Sequence, residues 1–325
     1  MLSFYGLSEK GLETLSAAES GEVPPQAGWV DLFQPTPEED HAVERFLGAS
    51  VPTREEAQEI EFSSRFYTED GATFMTATVL IGVDSSEPAL VPFTIAITGE
   101  RIVTLRYDDL RALRHFVTRA SKPGNGCSSA PAVLLGLIEA IVDRTADVLE
   151  RISGDVDRIN KDVFARRRGP AHEGRELSEL IEAIGVQGDL AAKARESLSS
   201  LERLVQFAGL AAPNINAKGS NRARMKLAAR DIRSLEDHVT FLSNKITFLL
   251  DATLGLISVE QNEVIRVLTV ASTFFFPPTL IASIFGMNFH FMPELSWPFG
   301  YPLALGFMIA TAVATYLYFK RRGWL

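Results

Sequence analysis

The sequence predicts an α+β soluble body followed by a long helical stalk and two C-terminal transmembrane helices. Three observations carry this prediction. From Val267 to Phe289, and again from Trp297 to Phe319, no residue is charged. Each run holds 23 residues, and about 20 helical residues cross the hydrocarbon core of a bilayer. Upstream, β-rich runs separated by Gly-containing turns give way to long helical patterns with few breakers.

The first segment, 1–120, reads as a mixed α/β domain. Trp29-Val30-Asp31-Leu32 is a short strand. Pro37-Glu38-Glu39-Asp40 opens a helix with acidic residues in its first turn, where the helix dipole favours them. Ile60–Tyr67, Thr73–Val83, Leu90–Ile97 and Arg101–Leu105 are β-rich. Glu69-Asp70-Gly71 and Thr98-Gly99-Glu100 supply turns. No Gly-rich phosphate loop, nucleophile elbow or metal-ligand cluster stands out there.

Segment 121–220 reads as two long antiparallel cytoplasmic helices. The first runs from Ala132 to about Arg167, where Arg166-Arg167-Arg168-Gly169-Pro170 ends it; the second runs from Leu177 to Leu210. The stalk helix, 221–266, has no Pro before Pro277 and runs without a break into the first transmembrane helix, 267–288. At 1.5 Å per residue the whole helix would span roughly 100 Å. An external loop, 289–296, leads to the second transmembrane helix, 297–319, and a basic tail, 320–325.

Charge sets the expected orientation. Lys320, Arg321 and Arg322 follow the second apolar run and Arg266 precedes the first, while the loop between them has no Lys or Arg. Positive charge stays inside, so both termini are expected in the cytoplasm. Trp297 and Tyr301 at one end, with Tyr316, Tyr318 and Trp324 at the other, read as interfacial aromatic belts. The first ten residues lack a signal-peptide pattern. A lone Cys127 fits a reducing compartment. Formal net charge is -9, which argues against a nucleic-acid partner. It suits either a body that gathers cations or a merely solvated surface.

Every seventh residue from Asp251 gives Asp251, Ser258, Ile265, Ser272, Thr279 and Gly286. The adjacent row is Gly255, Asn262, Thr269, Phe276 and Ser283. Together they form a period-3.5 stripe, the seam of a left-handed coiled coil, but made largely of small and polar residues. Hydroxyls and amides facing lipid are expensive, so the stripe should face a partner helix or water. It reads either as close helix packing or as the lining of a pore shared by several copies. Asp251 and Asn262 favour the pore. Ile265 and Phe276, with Leu268 slightly off the stripe, would form a dewetting hydrophobic gate. Pro277 and Pro278 leave the carbonyls of Thr273 and Phe274 without helical donors.

The C-terminal residues resemble the CorA family of divalent-cation channels. The resemblance rests on Val259-Glu260-Gln261-Asn262, Phe276-Pro277-Pro278-Thr279-Leu280-Ile281-Ala282-Ser283, Gly286-Met287-Asn288-Phe289, Phe291-Met292-Pro293-Glu294-Leu295, Gly300-Tyr301-Pro302 and Tyr318-Phe319-Lys320-Arg321-Arg322. It covers about the last 70 residues; the remainder agrees in layout. The resemblance implies a homopentameric funnel in the bacterial inner membrane, carrying Mg²⁺ and also Co²⁺ or Ni²⁺. Gly286, Met287 and Asn288 would form the selectivity filter. Asn288 would receive the hydrated ion through its outer sphere. Thr279, Phe276, Thr269, Leu268, Ile265, Asn262 and Asp251 would line the conduit, with Asp251 a further metal contact.

Two external-loop residues bear on selectivity. Glu294 keeps an acid that the family has, whereas His290 stands where its best-known members have an acid. Imidazole favours softer metals, which keeps a Zn²⁺ transporter of the ZntB type as an alternative, together with a non-conducting membrane scaffold. The resemblance also implies cytoplasmic regulatory Mg²⁺, for which Asp231, Glu236, Asp237 and Asp251 are candidates. No cofactor is expected. Nor is enzymatic activity: no nucleophile–base or paired-carboxylate set stands out. His41, His115, His172, His238 and His290 are scattered and none lies at metal-ligand spacing to another.

Overall fold

The computed structural model describes residues 1–8, 11–16, 22–84, 87–122, 127–165, 177–211, 219–287, 290, 292–293 and 297–324. They fall into two compact units, Met1–Leu250 and Asp251–Leu325.

The first unit is built on a seven-stranded sheet in the order β2-β1-β3-β7-β6-β5-β4. Its strands are β1 (Leu2–Ser8), β2 (Gly11–Leu15), β3 (Trp29–Phe33), β4 (Phe66–Glu69), β5 (Ala72–Ile81), β6 (Ala89–Thr98) and β7 (Arg101–Arg106). Strands β4 to β7 form an antiparallel meander. Asp70 and Gly71 both take positive φ, which is what a two-residue hairpin turn with the right twist requires. Gly99 does the same at the first position of the β6–β7 turn. The meander joins the N-terminal hairpin through a parallel pairing, β3 to β7, with Asp31 opposite Thr104.

Helices cover both faces of the sheet. On one side α1 (Pro37–Leu47) places Val43 and Leu47 against Phe4, Val30, Leu32, Phe74 and Val103. This helix begins as its sequence dictates: Thr36 and Glu39 form a reciprocal capping box, and Gly48 closes it in the left-handed conformation. The other side receives α4 (Arg111–Ala120), α5 (Ala130–Ala165) and α6 (Leu177–Ala211). With both faces covered, nine of ten residues of β5 are buried, as expected of a central strand.

On this second side Trp29 stacks on Tyr5, with centroids 4.5 Å apart, and tilts against Phe116 at 5.8 Å. Helix α5 comes close here. A Cβ built on Gly136 would lie 2.2 Å from Cε2 of Phe116, so no side chain fits without displacing that ring. We expect Gly136→Ala to destabilise the soluble unit by about 1–3 kcal/mol through overpacking. The readout is the thermal midpoint of the detergent-solubilised protein, and an unchanged midpoint would mean that Phe116 yields freely.

The Ile60–Tyr67 run departs from its expected strand. Helix α2 (Arg54–Gln58) ends just before it; within the run a single turn, α3 (Phe62–Arg65), forms first, and only Phe66 begins β4. Tertiary anchors override the local β preference. Phe62 packs on Phe66 and Phe207, and Arg65 reaches back to the Glu59 carbonyl and across to the Thr78 hydroxyl.

Helix α7 runs from Gly219 to Phe285 and contains Pro277 and Pro278. In the first unit its buried apolar residues are Met225, Ala228, Ile232, Val239, Leu242, Ile246 and Leu249, a three-and-four spacing that makes one continuous seam. Polar ties fix this part of the helix: Arg224 grips Glu139 of α5 through two 2.8 Å bonds, and Arg233 bonds Glu202 of α6. In the second unit the end of α7 is followed by α8 (Gly300–Arg321).

Candidate functional site

Within the second unit α7 carries no charged residue from Val267 to Phe285, and α8 none from Gly300 to Phe319. The most apolar 18-residue stretch of α7 has mean hydropathy 1.7 and none of it is buried; that of α8 has 1.6 and 11% buried. Side chains this apolar and this uncovered need lipid or other copies of the chain around them.

The stripe lies on α7, and the helix is continuous through every described member up to Phe285. Successive residues turn by 100°, so Asp251, Ser258, Asn262, Ile265, Leu268, Thr269, Ser272, Phe276, Thr279, Ser283 and Gly286 occupy an arc of about 120°. All of them are exposed within the single chain. Ile265 is 59% exposed, Leu268 66% and Phe276 69%.

The hydroxyls on this face have a defined polarity. Ser258 donates to the Leu254 carbonyl at 3.2 Å, Thr269 to Ile265 at 2.7 Å and Thr279 to Phe275 at 2.7 Å. A hydroxyl whose proton is committed to the preceding turn offers only lone pairs outward. Those oxygens therefore accept hydrogen bonds and cannot donate. Pro277 and Pro278 carry no N–H, so the carbonyls of Thr273 and Phe274 also lack their amide donors. Spacing alone revealed the stripe; neither the hydroxyl orientation nor its acceptor character was visible before the backbone was in place. The side chains of Asn262 and Asp251 make no hydrogen bond among the described residues, and both residues are exposed.

At the end of α7, Gly286 donates to the Ala282 carbonyl at 2.9 Å, and a Cβ there would sit 3.1 Å from the same oxygen. The helix stops here in a close turn, where a side chain would need the Ala282 carbonyl to give by a few tenths of an ångström. Met287 is 47% exposed and His290 is exposed. Asn288, the key residue of the expected filter, lies outside the described residues, as does Glu294. Between the helix ends is an apolar groove of about 460 Å³ lined by Phe285, Gly286, Trp297, Tyr301 and Met308 among others. Among the described residues its lining carries no charged side chain.

Among the described residues no group of three or more His, Cys, Asp or Glu side chains is set to hold a metal. Asp231, Asp237 and Asp251 are exposed and Glu236 is half-buried. Burial pushes the Glu236 carboxyl above its ordinary range, Glu202 adds to the rise, and Arg195 opposes it.

Residues 26–321 match the family described as CorA-like Mg²⁺ transporter protein. The chain is 36% identical over 327 residues to the magnesium transport protein CorA of Escherichia coli K12, covering all of both chains. It shows the same identity and coverage with its namesake in Salmonella typhimurium. Its fold is similar to the complete structure of the CorA magnesium transporter from Methanocaldococcus jannaschii, at a TM-score of 0.78 and 18% identity, over 100% of this chain and 99% of that one.

Proposed function

Because the chain belongs to the CorA-like Mg²⁺ transporter family, we propose that it is a gated, passive channel for Mg²⁺, driven by the membrane potential and also passing Co²⁺ and Ni²⁺. In this reading five copies assemble around an axial pore in a bacterial inner membrane, with both termini cytoplasmic. The observation that carries it is the exposed polar stripe on α7, set in a helix otherwise apolar enough to face lipid. An anchor would function equally well with Leu and Val at those positions, which weighs against a non-conducting scaffold.

The chemistry follows from the ion. Mg²⁺ is hard, octahedral and reluctant to shed water. Its hydration shell presents hydrogens outward, so the wall must accept hydrogen bonds. A ring of Asn288 amide oxygens would receive the hydrated ion at the outer mouth without stripping it. Thr279, Thr269 and Ser258, with their protons committed backward, would continue as acceptors down the conduit, together with Ser283, Ser272 and Asn262. Asp251 would add a charge at the inner end. An inside-negative potential supplies about 2.3 kcal/mol per charge per 100 mV, roughly double for a divalent ion. Rings of Phe276, Leu268 and Ile265 would close the path by excluding water, and cytoplasmic Mg²⁺ would favour that closed state.

The test is flux into proteoliposomes loaded with Mg²⁺- and Zn²⁺-sensitive dyes, with potential and pH gradient imposed separately. Mg²⁺ entry driven by potential alone is expected. His290, exposed in the loop, motivates the second reading, a proton-coupled zinc transporter; Zn²⁺ entry that requires a pH gradient, with little Mg²⁺ flux, would establish it instead. In the same vesicles, Phe276→Ala should raise basal leak several-fold at high internal Mg²⁺. An unchanged leak would remove Phe276 from the gate.

A further inference from the structure

We infer that the soluble unit carries a nucleotide-binding cleft between the free edge of β5, the α3 turn and helix α6, with phosphates held by arginines and the base resting on an exposed phenyl ring. This inference does not depend on the transport reading.

The cleft exists because β5 outruns its neighbour. Pairing with β4 ends at Phe66 opposite Met75, and the Thr78 amide beyond it is taken instead by Ser200 Oγ of α6 at 2.8 Å. The hollow left there is about 560 Å³, within the range of small-molecule sites, roughly 300–1,000 Å³. Arg65, Arg195 and Arg203 all line it, with Ser199 and Ser200.

Among the described residues none of these three guanidiniums has a carboxylate at ion-pair distance. Arg65 holds only neutral oxygens, the Glu59 carbonyl and the Thr78 hydroxyl. Arg195 donates to Thr240 Oγ1 at 3.2 Å. Arg203 has no hydrogen bond or ion pair among the described residues, and none of the three has a carboxylate within 4.0 Å. Elsewhere on the same unit Asp84 alone gathers Arg111, Arg144 and Arg151. Glu196 also lines the cleft and offsets one of the three charges at longer range. Burial depresses the Arg65 pKa, Glu196 counters that, and Arg203 depresses it further. A partly buried guanidinium facing like charge is unfavourable unless an anion joins it. The guanidinium fork and nearby hydroxyls match phosphate oxygens.

The rim argues for more than inorganic phosphate. Phe62 is 51% exposed and Ile60 88% exposed at the mouth, and Phe66 supports the Phe62 ring at 4.9 Å. An exposed ring beside a phosphate site offers a stacking platform for a base.

The experiment is calorimetric titration of the full-length protein in nanodiscs, in EDTA, with ATP, tripolyphosphate and adenosine. ATP should bind saturably and more tightly than tripolyphosphate. Arg203→Gln should weaken both anions at least about tenfold, as loss of a charge-assisted pair does. Phe62→Ala should weaken ATP alone, and Glu196→Gln, which removes the opposing charge, should tighten both. Arg203 is exposed, so the far-ultraviolet dichroism of its variant should be unchanged. Absence of saturable ATP binding up to ~10 mM in both wild type and Glu196→Gln would overturn the site. So would binding indifferent to Arg203→Gln. Equal binding of tripolyphosphate and ATP, untouched by Phe62→Ala, would overturn the nucleotide class. Dissociation of the oligomer in Arg203→Gln without any ATP binding would assign the guanidiniums to a neighbouring copy instead.

Discussion

Asn288→Ala should reduce Mg²⁺ uptake to the level of empty vesicles while the oligomer keeps its size in detergent. The residue would supply the amide oxygens that meet the hydrated ion, and alanine has no acceptor to replace them. The turn before it has a separate origin, in the Gly286 bond to Ala282, so assembly should not depend on the amide. Normal Mg²⁺ flux in this variant would remove Asn288 from the filter. Asn288→Asp separates charge from geometry. A carboxylate ring attracts the ion more strongly, so tighter block by competing divalent ions is expected, together with slower release.

Asp31→Ala should destabilise the soluble unit by about 3–5 kcal/mol, because it strands a buried charge. Asp31 is 1% exposed. Its carboxylate accepts from Arg106 Nη2 at 2.9 Å, from Arg106 Nε at 3.1 Å and from Thr104 Oγ1 at 2.7 Å. Thr104 Oγ1 in turn accepts from the Trp29 indole at 3.1 Å. Every member has a partner, which is when a buried polar network is stabilising. Arg106 also lies over the Phe33 ring, 4.3 Å from its centroid. Removing the acid leaves that guanidinium with only the Asp108 carbonyl at 3.1 Å and the more distant Asp109 carboxylate at 3.9 Å. The thermal midpoint in detergent checks the loss. The double change Asp31→Leu with Arg106→Met should recover much of it, since an apolar pair of similar volume avoids the desolvation penalty. A double variant as unstable as the single one would mean that Asp31 acts through Thr104 and Trp29.

Some of this architecture was legible in the sequence for local reasons. Helix α1 announces itself through Thr36, Pro37 and Glu39, whose cap uses residues three apart. The β4–β5 and β6–β7 turns are marked by Asp70-Gly71 and Gly99. The stripe on α7 needed only the helical period. Other elements depend on distant chain. Helix α4 begins at Arg111, after Leu110, which supplies no side-chain cap, so no start signal marks it; Leu113 and Phe116, both buried, hold it. The turn at Phe62–Arg65 reads as a strand because its aromatic and β-branched flanks favour one, yet Phe207 and Thr78 decide otherwise. The arginine cleft brings together residues 65, 195 and 203, and no motif of fixed spacing could have placed the first beside the others. The acceptor polarity of Thr269 and Thr279 is a matter of rotamer, which sequence does not state.

The parallel joint between β3 and β7 also sets a timetable. Asp31 and Thr104 are 73 residues apart. At synthesis rates of ~5–20 residues per second, the ribosome delivers the second roughly 4–15 s after the first. During that interval Trp29, Val30 and Leu32, all fully buried at the end, wait on a strand with no neighbour on one side. The meander of β4 to β7 has no such delay, since each strand pairs with the one just made. The nascent chain is therefore most exposed to chaperones and proteases before β7 emerges. A lesion at Asp31 would lengthen that exposure, and pulse-labelled proteolysis of stalled chains would register it as cleavage near β3.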